Sequence, residues 1–183
     1  MSRIPSASQT VGPFFNFALT TNSSLGILAR AGLPGERIRV EFRVTDGDGA
    51  PAEGDCMLEL WQADSVGRYA QALADFSGFG RGETDQNGCC TFETVKPGRV
   101  AGPDGRLQAP HINVIVFARG LLIQLYTRVY FADEPANVED PILALVPEAR
   151  RATLLAHPVE GEPGAWYFNI RLQGSGETVF FEM

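Results

Sequence analysis

At 183 residues the chain is long enough to bury one hydrophobic core, and 44% hydrophobic with 20% charged residues is an ordinary globular composition. A formal charge of −7 disfavours nucleic acid and anionic membranes as partners, because both would repel it. Three cysteines, including the adjacent pair Cys89 and Cys90, suit a reducing compartment without disulfides. Residues 1–9 lack the apolar segment of a signal peptide and no apolar run is long enough to span a bilayer, so the expected location is the cytoplasm.

Residues 1–18 read as an N-terminal arm. Within it, Thr10-Val11-Gly12-Pro13-Phe14-Phe15 is broken by Gly-Pro and carries two phenylalanines that favour burial. Two readings stand: a tail pinned to the body by its aromatics, or backbone laid closely over another surface, as Gly12 would allow. Residues 37–44 alternate without error, Ile38, Val40, Phe42 and Val44 against Arg37, Arg39, Glu41 and Arg43, which is the pattern of a half-buried antiparallel strand. A turn at 46–51 leads to a strand at 56–63, with Trp61 as its large side chain, and then to a long loop containing Gly67-Arg68-Tyr69. Residues 79–93 predict a hairpin about Gln86-Asn87-Gly88, because Asn-Gly suits a type I′ turn. Lys96-Pro97-Gly98 ends its second strand.

Residues 110–120 predict a buried strand and residues 121–131 its partner, joined as a hairpin with Arg119 at the tip. Residues 136–157 hold the one good helical region, with a helix at 148–156 started by Pro147. Residues 166–172 alternate again, and 178–181 predict a short last strand. Together these elements predict one domain over residues 1–183, an all-β antiparallel β-sandwich with one short helical excursion.

Chemistry has few carriers. With only two histidines and no G-x-S-x-G elbow, P-loop or dinucleotide fingerprint, most hydrolase and nucleotide-binding classes drop out. His157, before Pro158 at the expected helix end, reads as a surface cap. His111 on a buried strand is either a hydrogen-bonded core histidine or a metal ligand. A metal needs about three or four protein ligands, and the same-face neighbour Asn113 is a poor one. Tyr69 could supply a phenolate, which leaves the shell half empty. Arg119 is either a solvated turn residue or the partner of a planar carboxylate, the shape its fork matches best.

Taken in order, Gly67-Arg68-Tyr69, Asp85-Gln86-Asn87-Gly88, Thr94-Val95-Lys96-Pro97-Gly98 and Pro110-His111-Ile112-Asn113 resemble the intradiol ring-cleaving dioxygenases. The similarity runs from Ser8-Gln9-Thr10-Val11-Gly12-Pro13 to Gly176-Glu177-Thr178-Val179-Phe180-Phe181. Catalytic chains of that family hold non-haem Fe(III) with two tyrosines and two histidines. By the resemblance, Tyr69 and His111 occupy two ligand positions, Val100 stands at that of the second tyrosine and Asn113 at that of the second histidine. The chain is therefore expected to hold no metal and no catalytic group of its own.

His111-Ile112-Asn113 followed by Phe117-Ala118-Arg119-Gly120 looks like the iron-free α chain of heteromeric family members, whose paralogous β subunit carries the iron. The resemblance implies a hetero-oligomer of α–β pairs in which Fe(III) on the β subunit and O₂ cleave an aromatic dihydroxy acid, a step of aromatic catabolism in the β-ketoadipate pathway. It also implies substrate-binding roles for Arg119 and for backbone at Thr10, Gly12 and Pro13. The alternatives are a self-sufficient intradiol dioxygenase of another catechol, or a non-enzymatic β-sandwich interaction module.

Overall fold

The alternating segments decide the architecture, because each must bury one face. The computed structural model of the chain describes Thr10, Gly12 and residues 17–30, 32–52, 56–69 and 76–182; Pro13 and most of the N-terminal arm lie outside the described residues. In chain order the strands are β1 (Arg37–Thr45), β2 (Cys56–Gln62), β3 (Phe79–Glu83), β4 (Cys89–Val95), β5 (Val100–Ala101), β6 (Leu107–Gln108), β7 (His111–Ala118), β8 (Leu125–Phe131), β9 (Leu155–Pro158) and β10 (Ala165–Arg171). Eight of them form one sheet in the order β3-β2-β7-β8-β9-β10-β1-β4, and β5 pairs separately with β6. Among the described residues no helix is long and apolar enough to cross a membrane.

The short strand β9 is the corner of the sheet. Its first two residues pair in parallel with β8, Leu155 with Tyr130 and Ala156 with Phe131. Its last two pair antiparallel with β10, His157 with Tyr167 and Pro158 with Trp166. By switching partners halfway, β9 lets one half of the sheet fold over the other. The inner faces meet in a single core: Val40 and Phe42 of β1, Phe92 of β4 and Phe168 of β10 from one half, Leu58 and Leu60 of β2 with Val114 and Val116 of β7 from the other. The Phe42 ring meets Phe92 edge-on at 5.7 Å and Phe168 at 6.0 Å. A smaller cluster of Ala109, Tyr130, Leu143, Val146 and Leu154 covers the outer side of β8.

The sheet-dominated fold is as expected, and β1, β10 and the β7–β8 hairpin lie where the sequence places them. Four details differ. Pairing is not antiparallel throughout, since β1–β10 and β8–β9 are parallel. The expected hairpin at 79–93 is an arch: β3 pairs with β2 and β4 with β1, at opposite ends of the strand order. Its turn is tight all the same, with the Gly88 N–H donating to Asp85 O at 3.0 Å and the Asp85 carboxylate accepting from Asn87 and Cys89 N–H at 2.8 Å each.

The expected helix at 148–156 is only α1 (Glu148–Arg151), followed by a 3-10 turn at Ala152–Leu154 and by β9. Helix propensity there yields to two strand ladders that become available only in the folded sheet. His157 is accordingly an exposed strand residue, its ring stacked on Tyr167 at 5.5 Å, and not a helix cap. Residues 178–181 make a lone bridge, Phe181 with Tyr126, instead of a strand.

Replacing Phe42 by alanine should cost about 3–5 kcal/mol, because both edge contacts disappear into a cavity that the rigid halves cannot close. Val138→Ala, at an 89% exposed position, should change stability by less than about 0.5 kcal/mol. Urea unfolding of the two variants measures the contrast.

Candidate functional site

The loop that carries Tyr69 is held by backbone contact. Asp64 is buried at the end of β2, and its carboxylate accepts from Val66 N–H at 3.0 Å, Arg68 N–H at 2.9 Å and Arg68 Nε at 3.1 Å. Burial works against ionisation of Asp64, but these bonds outweigh it and its pKa is lowered. Gly67 has φ 83° and packs onto the Arg99 carbonyl so closely that no side chain could fit. A Cβ on Gly98 would stand 2.6 Å from Gly67 N. The glycines of Gly67-Arg68-Tyr69 and Lys96-Pro97-Gly98 are thus needed by one another: they let the Tyr69 loop lie against the segment leading into β5 and Val100.

Tyr69, His111 and Asn113 come together. His111 is 2% exposed on the face of β7 opposite the main core. Its Nδ1 lies 2.8 Å from Ala109 O, which can only accept, so Nδ1 carries the proton and Nε2 is the acceptor. The Tyr69 hydroxyl reaches Nε2 at 3.4 Å, a long bond, and in turn accepts from Asn113 Nδ2 at 3.0 Å. Asn113 Nδ2 also donates to Trp61 O at 3.1 Å, and the Trp61 ring stacks on Tyr69 at 6.0 Å, the two planes nearly parallel. Burial, aided by the Arg128 guanidinium, pushes the His111 pKa down to about 4, against the opposing pull of the Ala109 bond and Asp140. The imidazole is neutral at neutral pH.

One contributor was not singled out from the sequence. Asp140 is fully buried and accepts from Ala109 N–H at 2.7 Å, Tyr130 Oη at 3.1 Å, Ile142 N–H at 2.9 Å and Leu143 N–H at 2.7 Å. It fixes the carbonyl-bearing residue that orients His111, and it locks Tyr130, whose ring centroid is 6.0 Å from that of His111. The signal was Asp140-Pro141, an acidic residue opening a turn, which is a common capping arrangement.

This cluster does not make an iron shell. Val100 has no donor atom, and the Asn113 amide turns its N–H groups toward Tyr69 and Trp61. Two candidate donors remain, Tyr69 Oη and His111 Nε2, where about three or four protein ligands are needed. Among the described residues no group of three or more His, Cys, Asp or Glu side chains is placed to hold a metal ion.

Arg119 stands elsewhere. It lies exposed in the turn after β7, eight residues from His111, and at ~3.3 Å per residue the strand separates them by roughly 26 Å. Thr10 joins it there, its hydroxyl accepting from Gly120 N–H at 2.6 Å. Gly12 is exposed, and a Cβ on it would meet nothing within 4 Å. Of the expected substrate-facing set, then, the structure brings Thr10 to the Arg119 turn, leaves Gly12 beside open space, and sets both apart from the Tyr69–His111–Asn113 cluster.

The sheet folded over at β9 thus sets a Tyr–His pair against the outer face of β7. Residues 11–174 match the family model described as Dioxygenase. The chain is 43% identical to the protocatechuate 3,4-dioxygenase alpha chain of Burkholderia cepacia, over 96% of each. It is 34% identical to the beta chain of the same organism's enzyme, over 79% of this chain and 67% of that one. Among solved structures, the dioxygenase domain of a carbohydrate-binding fusion protein from Streptomyces sp. SirexAA-E superposes with a TM-score of 0.64 at 28% identity, covering 81% of this chain and 87% of that one. The chain belongs to the intradiol dioxygenase family, an iron-dependent group of oxidoreductases.

The depressed pKa of His111 gives a pH signature with a defined sign. Between pH 6.5 and about 4 the unfolded chain binds a proton at this residue that the folded chain refuses. Stability is therefore fully present above pH 6.5 and falls as the pH drops to about 4, by ~3 kcal/mol for a shift of this size. His111→Gln should flatten the curve over that window. Urea unfolding of both proteins at half-unit pH steps measures the difference; equal slopes would place the lost stability on other groups.

Proposed function

We propose that this chain is the iron-free α subunit of a protocatechuate 3,4-dioxygenase, and that it orients substrate for a paralogous β subunit. The observation that carries the reading is the split of the site. Two of the four ligand positions are Val100 and Asn113, while Arg119, with Thr10 beside it, lies at the opposite end of β7. A chain that served its own iron would gather its substrate contacts around Tyr69 and His111.

In the assembled enzyme Fe(III) sits on the β subunit and supplies the activation needed for O₂ to be inserted between the two hydroxyl-bearing carbons of 3,4-dihydroxybenzoate, giving 3-carboxy-cis,cis-muconate. This chain contributes around that reaction. The guanidinium of Arg119 meets the substrate carboxylate at the end of the ring remote from the hydroxyls, with two N–H donors against two oxygens. Thr10, latched to the Gly120 N–H, lies at the pocket mouth, and Gly12 adds no side chain there to obstruct the ligand. Arg119 also sets specificity, because plain catechol would leave the guanidinium facing no anion. The free thiols Cys56, Cys89 and Cys90 accord with a cytoplasmic location.

Coexpression with the β subunit should give one iron per αβ pair, and the α chain purified alone should show no tyrosinate-to-iron absorption. An iron-coloured, ring-cleaving α chain would overturn the reading. In the reconstituted enzyme, Arg119→Ala should lower kcat/KM for protocatechuate about 5- to 150-fold, the equivalent of ~1–3 kcal/mol for a lost charge-assisted bond, and affect residual catechol turnover far less.

Gly12→Ala separates the two roles open to the arm. It should leave the urea midpoint of this chain unchanged, since the added methyl meets nothing within 4 Å. It should raise the KM for protocatechuate in the complex, where the β-subunit pocket faces it. An unaltered KM would remove Gly12 from the pocket wall.

A further inference from the structure

The outer face of β1, β10 and β9 carries a feature that neither the iron-ligand positions nor Arg119 explains. A hollow of about 470 Å³ opens there, of a size that holds a small molecule. Arg43, Arg171 and His157 line it, and no Asp or Glu is among its described lining residues. That is an unusual surface for a chain whose formal charge is −7.

The strand register explains how the charges meet. β1 and β10 run parallel, with Arg43 opposite Asn169 and Thr45 opposite Arg171. Phe42, Val44, Phe168 and Ile170 point into the core, so Arg43, Thr45, Asn169 and Arg171 share the outer face. Arg43 and Arg171 are thus diagonal neighbours on that face. Like charges on neighbouring strands repel.

Arg171 is anchored, donating to Gly47 O and Gln173 O at 2.5 and 3.3 Å. The Arg43 guanidinium makes no hydrogen bond or ion pair with a described residue, although its charge reaches the neighbouring Cys89. The nearest carboxylate on its own strand face, Glu41, lies 4.0 Å from Arg39. Beside the guanidinium pair, the ring of Tyr167 stacks on His157 at 5.5 Å and forms a flat wall, with Leu155 below it.

We propose that this hollow is a binding site for a small planar carboxylate with at least two anionic groups. The ligand bridges Arg43 and Arg171, and its flat body lies along Tyr167. Bidentate carboxylate binding suits the guanidinium fork, and a bridging anion turns the mutual repulsion of the two arginines into attraction. Asn169, Thr45 and Thr178 supply neutral donors on the same floor. The site shares no residue with the Tyr69–His111–Asn113 cluster or with the Arg119 turn, so it stands or falls independently of the α-subunit reading.

Calorimetric titration of the purified assembly with terephthalate, a rigid planar dicarboxylate, tests the site. Saturable binding at one site per copy of this chain is expected. It should weaken at least tenfold in Arg43→Gln and by less in Arg43→Lys, while ring-cleaving turnover stays unchanged. The urea midpoint of Arg43→Gln without ligand should equal or exceed that of the parent, because the repulsion from Arg171 is relieved. Terephthalate affinity that ignores Arg43→Gln would overturn the proposal. So would a lowered urea midpoint, which would make Arg43 a structural residue, or inorganic phosphate competing as well as terephthalate, which would mean general attraction of anions.

Discussion

The pairing of β7 on both edges, with β2 on one side and β8 on the other, is the constraint on which the rest depends. A strand with two neighbours cannot slip, because a shift of one residue would turn Ile112, Val114 and Val116 out of the core and His111, Asn113 and Ile115 into it. The strand therefore acts as a ruler. One end delivers an imidazole to a buried, fully bonded position, and the other delivers a guanidinium to an exposed turn. No rearrangement of loops brings the two together, so the chain cannot use them on one ligand.

At the buried end, the polar side chains are joined in a chain of hydrogen bonds. A tyrosine hydroxyl, a neutral imidazole and an amide satisfy one another: Asn113 donates to Tyr69, Tyr69 to His111, and His111 to Ala109. A histidine at the position of Asn113 would have to give up the donation to Trp61 O, and a tyrosine at Val100 would need an anionic oxygen to bring charge into the site. The low pKa of His111 follows chiefly from burial, which disfavours a second proton on the ring, with the nearby Arg128 guanidinium adding repulsion. Asp140 completes the arrangement by holding the loop that supplies the acceptor carbonyl.

The legible parts of the sequence were those in which side-chain period alone fixes the answer. Residues 37–44 and 166–172 alternate because one face is buried, and period two leaves a single solution. The parts that were not legible depend on partners far away in the chain. Asp85-Gln86-Asn87-Gly88 specifies a tight turn, but a turn does not say whether the strands it joins pair with each other or with β2 and β1. Leu154, Leu155 and Ala156 read as helix because their propensity is local, whereas the two ladders that claim Leu155–Pro158 belong to Tyr130 and Trp166. At the site, the ordered motifs singled out Tyr69, His111 and Asn113, and the fold supplies their contact. The buried carboxylate behind them was not, because no spacing links Asp140 to Ala109.

The charge of the chain explains why a ligand-facing arginine must act by contact. With 22 acidic residues against 15 lysines and arginines, the mean field of the surface opposes any anionic substrate. That field is long-range and is damped beyond about 8 Å at physiological ionic strength. A guanidinium touching a carboxylate is inside that distance and loses little to screening. Acidic residues spread over the surface thus preserve solubility at small cost to binding, provided the cations that bind are held where acids are absent. At the outer hollow of β1 and β10 the fold meets this condition: Asp64, Glu59, Asp133 and Glu139 are each engaged by a cation elsewhere, and no Asp or Glu is among the hollow's described lining residues. Local sorting of charge, imposed by strand register, is what lets an acidic protein present basic sites.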